Sequence, residues 1–335
     1  MKRPVARTRR PAEVRIHLLN APDIEAYALA PDALAAELRR LARGATVSVT
    51  EDHDPEAVTP AMREADVLIG FQIPHKRIAE LPRLRWIHMV SAGVDHLLPL
   101  DWLPRRVALT NSSGVHSELA GEYAACALLM LNAGMPRHAT NQRRGHWDQV
   151  FNSPIAGKTV VLVGVGAIGG AAARHAKRLG LRVIAVRRRR KPHPHADEVH
   201  GPDALLRVLP RADFLMVTAP LTAETRQLIG GKELDALPPH AGVVNMSRAQ
   251  LVDYEALARK LERGELRGAV VDVLDPEPYP KESPLWRVPD LLITPHISSD
   301  PLDYRERMLK IIRENFRRLR AGRPLVNRVD PARGY

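Results

Sequence analysis

The chain has 335 residues, 45% of them hydrophobic, enough to fill the cores of two domains. No apolar run approaches the ~20 residues needed to cross a bilayer. The basic start, MKRPVARTRRP, lacks the apolar segment of a signal peptide, so a cytoplasmic protein with no membrane partner is expected. The single cysteine, Cys126, excludes an intramolecular disulfide framework and a CxxC metal site, and its apolar helical setting predicts a buried structural thiol. The net charge is +12, but ten positive charges fall in two short stretches without an acid, residues 1–10 and 187–191. The rest is nearly balanced, with only four Phe and four Trp and no interleaved basic and aromatic face. Nucleic acid is therefore not the expected partner, and the tail at 1–10 is expected to be disordered.

Residues 11–105 read as a compact α/β unit. Short apolar runs at 14–19, 45–49, 67–69 and 86–90 alternate with helical patterns such as 31–43. Another short strand is expected at 107–110. A long apolar helix, SELAGEYAACALLMLNA, follows at 117–133, and then a polar, Trp-containing loop or partly helical arm at 136–156.

The segment KTVVLVGVGAIGGAAARHAKRLGLRVIAVRRRRK at 158–191 is the most informative. An apolar run feeds Gly164-x-Gly166-x-x-Gly169, then an Ala-rich helix, then a second apolar run ending at Val186. Strand, turn, helix and strand are the setting in which this glycine pattern means dinucleotide binding. Gly164 permits the tight turn, Gly166 lets the backbone approach a pyrophosphate, and Gly169 lets the helix pack on the strand. The helix N-terminus attracts the phosphate charge. Further strands are expected at 214–218, 242–245, 269–273 and 291–294, with helices at 203–209, 231–237 and 253–263 between them. An amphipathic helix closes the pattern at 303–319. This alternation implies a mostly parallel sheet covered on both faces.

Ligands of such sheets bind at the carboxyl ends of the strands. Three of these ends run into Arg248, Glu277 and His296. Arg248 offers a planar fork of donors for a carboxylate and a neighbouring carbonyl oxygen. His296 can exchange a proton with that oxygen, and Glu277 can orient the imidazole. Singly, each has an ordinary explanation as an ion pair, a surface loop residue or a cap. In order behind a dinucleotide turn, they describe a hydride-transfer site for a 2-keto acid and 2-hydroxy acid pair.

The strings SAGVDHL (91–97), VGVGAIG (163–169), APLTAETRQLIG (219–230), VVNMSRAQLVDYEAL (243–257), VVDVLDPEPYPKESPLW (270–286) and ITPHIS (293–298) carry a resemblance. The chain resembles the D-isomer-specific 2-hydroxy acid dehydrogenases over most of its length. The resemblance implies that Arg248, Glu277 and His296 are catalytic. It implies that backbone N–H groups of Ser91, Ala92, Gly93 and Val94 hold the substrate carboxylate, with Trp286 lining the pocket. Cofactor contacts are implied for Gly164, Gly166, Ala167, Ile168, Gly169, Ala219, Pro220, Thr225, Met246, Ser247 and Asp272, and no metal is implied. Two Rossmann-like doubly wound domains are expected with a cleft between them. The flavodoxin-like substrate domain is expected at 11–105 plus 299–330, with the cofactor domain, 106–298, inserted into it. A homodimer is implied, with 117–150 as the contact arm and Trp147 near a neighbouring subunit.

The sequence departs from the family at three places. Ala249 replaces a common Gly, which predicts a slightly different loop, and Ser298-Ser299 replaces a Gly-containing turn. At the end of the second strand of the glycine motif, an NAD site wants an acid for the ribose hydroxyls. Here Arg187 to Arg190 and Lys191 follow Val186, which favours NADP(H) over NAD(H), with Arg187 and Arg188 as the first contacts. A reductase similar to the glyoxylate/hydroxypyruvate reductases is expected. Glu277 disfavours the formate dehydrogenase branch, which carries Gln there. The histidines His193, His195 and His200 are expected to be solvated rather than metal ligands. The alternative is a dinucleotide-sensing protein like the family's corepressors.

Overall fold

The computed structural model describes residues 14–19, 31–41, 46–50, 54, 56–299 and 301–334, so the expected basic tail at 1–10 lies outside the described residues. The described residues up to Val115, with those from Leu302 on, form one compact unit, and His116–Pro301 form another.

In the first unit the elements are β1 (Arg15–Leu19), α1 (Pro31–Leu41), β2 (Thr46–Thr50), α2 (Pro60–Arg63), β3 (Val67–Gly70), β4 (Trp86–Met89) and β5 (Ala108–Thr110). The strands are all parallel, in the order β2-β1-β3-β4-β5, the flavodoxin-like arrangement. The chain returns to this unit as a helix, Tyr304–Arg320, whose Tyr304, Met308, Ile312 and Phe316 recur every four residues and are buried together with Ile16 and Trp86. Phe316 meets Trp86 edge-on at 4.9 Å, and the Tyr304 hydroxyl donates to the Val90 carbonyl. The boundary expected after residue 105 falls instead after Val115. The reason is that β5 pairs with β4 and completes the first sheet, so it cannot open the second unit.

The second unit begins with α3 (Ser117–Ala133) and α4 (Met135–Arg143). It continues through β6 (Thr159–Val163), α5 (Ala167–Arg178), β7 (Arg182–Val186), β8 (Glu198–His200), α6 (Leu205–Val208), β9 (Phe214–Val217), α7 (Gly231–Asp235), β10 (Gly242–Asn245), α8 (Tyr254–Glu262), β11 (Gly268–Val271) and β12 (Leu291–Ile293). Its seven parallel strands run β12-β11-β10-β9-β6-β7-β8, the Rossmann order with one strand added at the edge. Alternate residues of each central strand enter opposite cores. Val161, Val163, Leu215 and Val243 face one side, and Val160, Leu162, Phe214 and Val244 face the other. Both faces are thus covered, and the fold is α/β with two Rossmann-like units.

Two local expectations are corrected. Cys126 is exposed, because α3 turns Ala120, Ala124, Ala127, Leu128 and Leu131 inward and leaves position 126 outside that stripe. His200, expected in solvent, is half-buried in β8, an edge strand too short and polar to show a period.

A polar row crosses the first sheet. The Trp86 indole donates to Thr110 Oγ1 at 2.7 Å, and the His88 ring sits between Thr110 Oγ1 (2.8 Å) and Ser112 Oγ (3.3 Å). Burial pushes the His88 pKa down to about 3, so the folded protein holds the ring neutral. Unfolding restores a value near 6.5, so the stability this group supports is complete above that pH and is lost as pH falls from about 6.5 toward 3. Between pH 6.5 and 5 the loss should approach ~2 kcal/mol, at about 1.4 kcal/mol per unit. Urea denaturation followed through tryptophan fluorescence at pH 7 and 5 should show this drop in the wild type and a clearly smaller one in His88→Gln.

Candidate active site

β6 and β9 lie side by side at the point where the strand order reverses, and their ends nearly touch. A Cβ on Gly164 would lie 2.5 Å from the Ala219 backbone, and Gly164 has φ +91°, so no other residue fits. A Cβ on Gly169 would lie 2.1 Å from the Gly164 carbonyl, which sets how closely α5 packs on β6. Around Gly166 there is open space where a Cβ would be. Gly166 is the N-cap of α5 with no side-chain cap bond, and Ala167 beside it is exposed, while Ile168 is half-buried. The first-turn N–H groups therefore face an open cradle suited to a pyrophosphate.

The neighbouring strand ends close around this turn. Ser247 Oγ donates to the Ala219 carbonyl, Thr225 Oγ1 to the Pro220 carbonyl at 2.7 Å, and Met246 is buried beneath. The Arg run after β7 is not uniform. Arg188 lies 3.8 Å from Glu224 and Arg190 pairs with Asp203 at 2.6 Å. Arg187 is half-buried and makes no ion pair with an acid among the described residues. His193, expected in solvent, is half-buried, with its ring against Gly170 in the first turn of α5, and His200 bonds Glu198 at 2.8 Å. Among the described residues no group of three or more His, Cys, Asp or Glu is arranged to hold a metal ion.

Arg248 follows β10 in extended backbone, and Ala249 opens a short 3₁₀ turn without a positive φ. The Gly-to-Ala departure therefore strains nothing. Asn245, 0% exposed at the end of β10, fixes this loop. Its amide donates to the Arg248 carbonyl at 3.0 Å and to the Tyr254 hydroxyl at 2.9 Å. Tyr254 in turn donates to the Val273 carbonyl at 2.7 Å, and burial pushes its pKa up, so it stays a donor. The next N–H along, Leu274, donates to Glu277 Oε1 at 2.9 Å. The Arg248 loop and Glu277 are thus joined through one buried relay.

Glu277 Oε2 meets His296 Nδ1 at 2.8 Å, with the two side chains 39% and 40% exposed, so the imidazole is held at Nδ1 while the side chain stays partly exposed. His296 has φ +56°, a conformation a β-branched or bulky residue rarely adopts. Asp272 holds it there. The Asp272 carbonyl accepts the His296 N–H at 2.8 Å, and the carboxylate accepts Ile297 N and Ser298 N, both at 2.9 Å, and the Thr294 hydroxyl. Tyr123 on α3 bonds Thr294 Oγ1 at 2.7 Å, with its own pKa pushed up to about 12 by burial. Asp272 is 1% exposed, so its carboxylate anchors the histidine turn in the structure. Because Ser298 contributes a backbone N–H, the Ser298-Ser299 departure leaves this anchor intact.

In the first unit, Ser91 and Val94 are buried. The carbonyls of Ser91, Ala92, Gly93 and Val94 accept Ser112 N, Asn111 Nδ2, Ser91 Oγ and Leu97 N in turn. The N–H groups of Ala92, Gly93 and Val94 donate to no described residue. Trp286 is half-exposed, its indole N–H bonded to the Pro280 carbonyl at 2.8 Å and its ring 5.9 Å from Tyr279. Asn245, Tyr254, Thr294 and Tyr123 were not singled out from the sequence. Asn245, Tyr254 and Thr294 stand in the quoted strings, but nothing local distinguishes a holding residue from its neighbours.

Residues 125–298 match the model of the D-isomer specific 2-hydroxyacid dehydrogenase NAD binding domain. The chain belongs to the D-isomer specific 2-hydroxyacid dehydrogenase family, and is thus an oxidoreductase with a nicotinamide dinucleotide cofactor. It is 30% identical to a glyoxylate reductase of Thermococcus gammatolerans, over 78% of this chain and 81% of that one. It is 29% identical to a glyoxylate/hydroxypyruvate reductase B of Escherichia fergusonii, over 92% and 98%. Among solved structures, a D-isomer specific 2-hydroxyacid dehydrogenase from Xanthobacter autotrophicus Py2, in complex with NADPH and MES, superposes with a TM-score of 0.82. Its identity is 31%, over 97% of this chain and 100% of that one.

Asn245→Ala would leave the buried Arg248 carbonyl without its donor and remove the link to Tyr254. Its urea midpoint should fall by the equivalent of about 1–3 kcal/mol, and steady-state kinetics should show a higher substrate KM.

Proposed function

We propose that the chain reduces a small 2-keto acid of the glyoxylate or hydroxypyruvate type to the D-2-hydroxy acid, with NADPH as the preferred cofactor. The observation that carries this reading is the Glu277–His296 pair, held at 2.8 Å and partly exposed, on a chain whose relatives are named glyoxylate reductases. When bound, the nicotinamide supplies the hydride to the keto carbon. Nε2 of His296 gives its proton to the keto oxygen, and Glu277 on Nδ1 fixes the ring for that transfer. Arg248 holds the same oxygen and the adjacent carboxylate, and draws charge from the carbonyl as it reacts. The backbone N–H groups of Ser91, Ala92, Gly93 and Val94 are the carboxylate donors of the first unit in this reading, and Trp286 is a substrate-binding residue of the second. The cradle of Gly164, Gly166, Ala167, Ile168 and Gly169 takes the pyrophosphate. Ala219, Pro220, Thr225, Met246 and Ser247 line the remainder, whereas Asp272, 1% exposed and bonded to the histidine turn, acts by holding that turn rather than by touching the cofactor.

The cofactor preference is read from Arg187, half-buried, without an acid partner among the described residues, and standing where an NAD site has a carboxylate. Arg188 serves beside it after yielding its loose contact to Glu224. The dinucleotide-sensing alternative finds no support in the relatives, which are named for reductase activity. We propose further that the chain is a homodimer, because Trp147 and Phe151 are 87% and 92% exposed on the arm after α4 and Leu129 and Met135 lie exposed near them in sequence.

Oxidation of NADPH with glyoxylate or hydroxypyruvate, followed at 340 nm, tests the activity. His296→Ala should lower kcat by about 10²–10⁴-fold, and Arg248→Ala should lower kcat/KM through both terms. Absence of turnover over a panel of 2-keto acids would remove the reading. Arg187→Ala should raise the NADPH KM by roughly tenfold or more, the value of one charge-assisted bond, and leave the NADH KM nearly unchanged. Trp147→Glu combined with Phe151→Glu should convert a dimer to a monomer in sedimentation velocity.

A further inference from the structure

We propose that His193 belongs to the subsite for the cofactor's 2′-phosphate and takes up a proton when that phosphate binds, so that NADP(H) affinity depends on pH while NAD(H) affinity does not. The inference rests on the NADPH preference proposed above and extends it to a residue of the Pro-rich loop.

Three placements support it. A Cβ on Gly170 would lie 3.3 Å from His193 Nε2, so the ring packs against the first turn of α5, in space that Gly170 leaves by having no side chain. Gly170 directly follows the Gly164-x-Gly166-x-x-Gly169 turn, so the ring borders the dinucleotide cradle. Arg187, at the exit of β7, lies near enough for its charge to act on the same ring.

The charges facing His193 are all of one sign. Arg187 approaches from the β7 end and His195 from its own loop, with its ring centroid 5.8 Å away. From α5 it meets Gly170, which is uncharged, and the positive end of the helix dipole. Desolvation first, then His195 and Arg187, hold the His193 pKa below its usual 6.5, and no carboxylate among the described residues opposes them. The neutral ring accepts the His195 N–H at Nδ1 (3.3 Å), which keeps its proton on Nε2, the atom over α5.

A phosphate dianion beside Arg187 reverses this balance. It neutralises the arginine charge and attracts a second proton to the ring, which offsets the loss of the weak Nδ1 bond. The protonated state is then favoured only in the complex. By linkage, NADP(H) affinity must fall as pH rises through the pKa of the bound form. NAD(H) lacks the phosphate and leaves the ring neutral.

The test is calorimetric titration of the full-length protein with NADPH and NADH at pH 7, in buffers of different ionisation enthalpy, repeated at pH 6.5 and 8.5. The wild type should take up a fraction of a proton with NADPH and none with NADH. Its NADPH Kd should weaken by about tenfold over that range relative to His193→Gln, in which both the uptake and the slope disappear. The comparison with the variant removes the phosphate's own ionisation, whose pKa near 6 acts in the opposite direction. Uptake and slope unchanged in His193→Gln, with NADPH still preferred and sensitive to Arg187→Ala, would overturn the assignment of His193 alone. NADPH binding no tighter than NADH, and indifferent to Arg187→Ala, would overturn the NADPH preference and this inference with it.

Discussion

All seven strands of the second unit point the same way, and most of the site follows from that constraint. Parallel pairing sends every strand's carboxyl end to one edge of the sheet, so residues scattered over more than 130 positions emerge side by side. Gly164 leaves β6, Arg187 leaves β7, Ala219 follows β9, Arg248 follows β10, and Asp272 and His296 follow β11 and β12. The pinch between Gly164 and Ala219 fixes how close the two central ends come.

Beyond that edge, order comes from buried polar groups. Asn245 and Asp272 each stand at the end of a core strand, and neither is appreciably exposed. Each turns its side chain to the backbone of the loop that carries a proposed catalytic residue. Buried polar groups of this kind are costly unless satisfied, and here their partners satisfy them while fixing Arg248 and His296. Glu277 works likewise, one oxygen on the Leu274 N–H and the other on the imidazole.

The strands were readable in the sequence because buried parallel strands are short apolar runs between turn signals. The long apolar helix was readable for the same reason. Glycine spacing and the strand-end Arg, Glu and His led to the family that the comparisons support. What was not readable depends on partners distant in the chain. Tyr123 and Thr294 are 171 residues apart, and no local pattern announces their bond. Cys126 was misjudged because an apolar helix can hide one stripe and still expose apolar residues on the other. The unit boundary moved because β5 finds its partner in β4, which spacing alone does not reveal. Within the Arg run the sequence singled out Arg187 and Arg188, and the fold separates these two, half-burying Arg187 and setting Arg188 3.8 Å from Glu224.

The anchoring of the histidine turn has a consequence for how the molecule fails. Three of the four bonds that Asp272 receives come from loop backbone N–H groups, and the aspartate itself grows out of β11, a buried strand one in from the sheet edge. Loosening the turn therefore means breaking its bonds to a buried strand of the sheet. Heat or denaturant will not first soften this part of the molecule and later melt the rest. Catalytic competence and the core of the second unit should disappear in a single cooperative step.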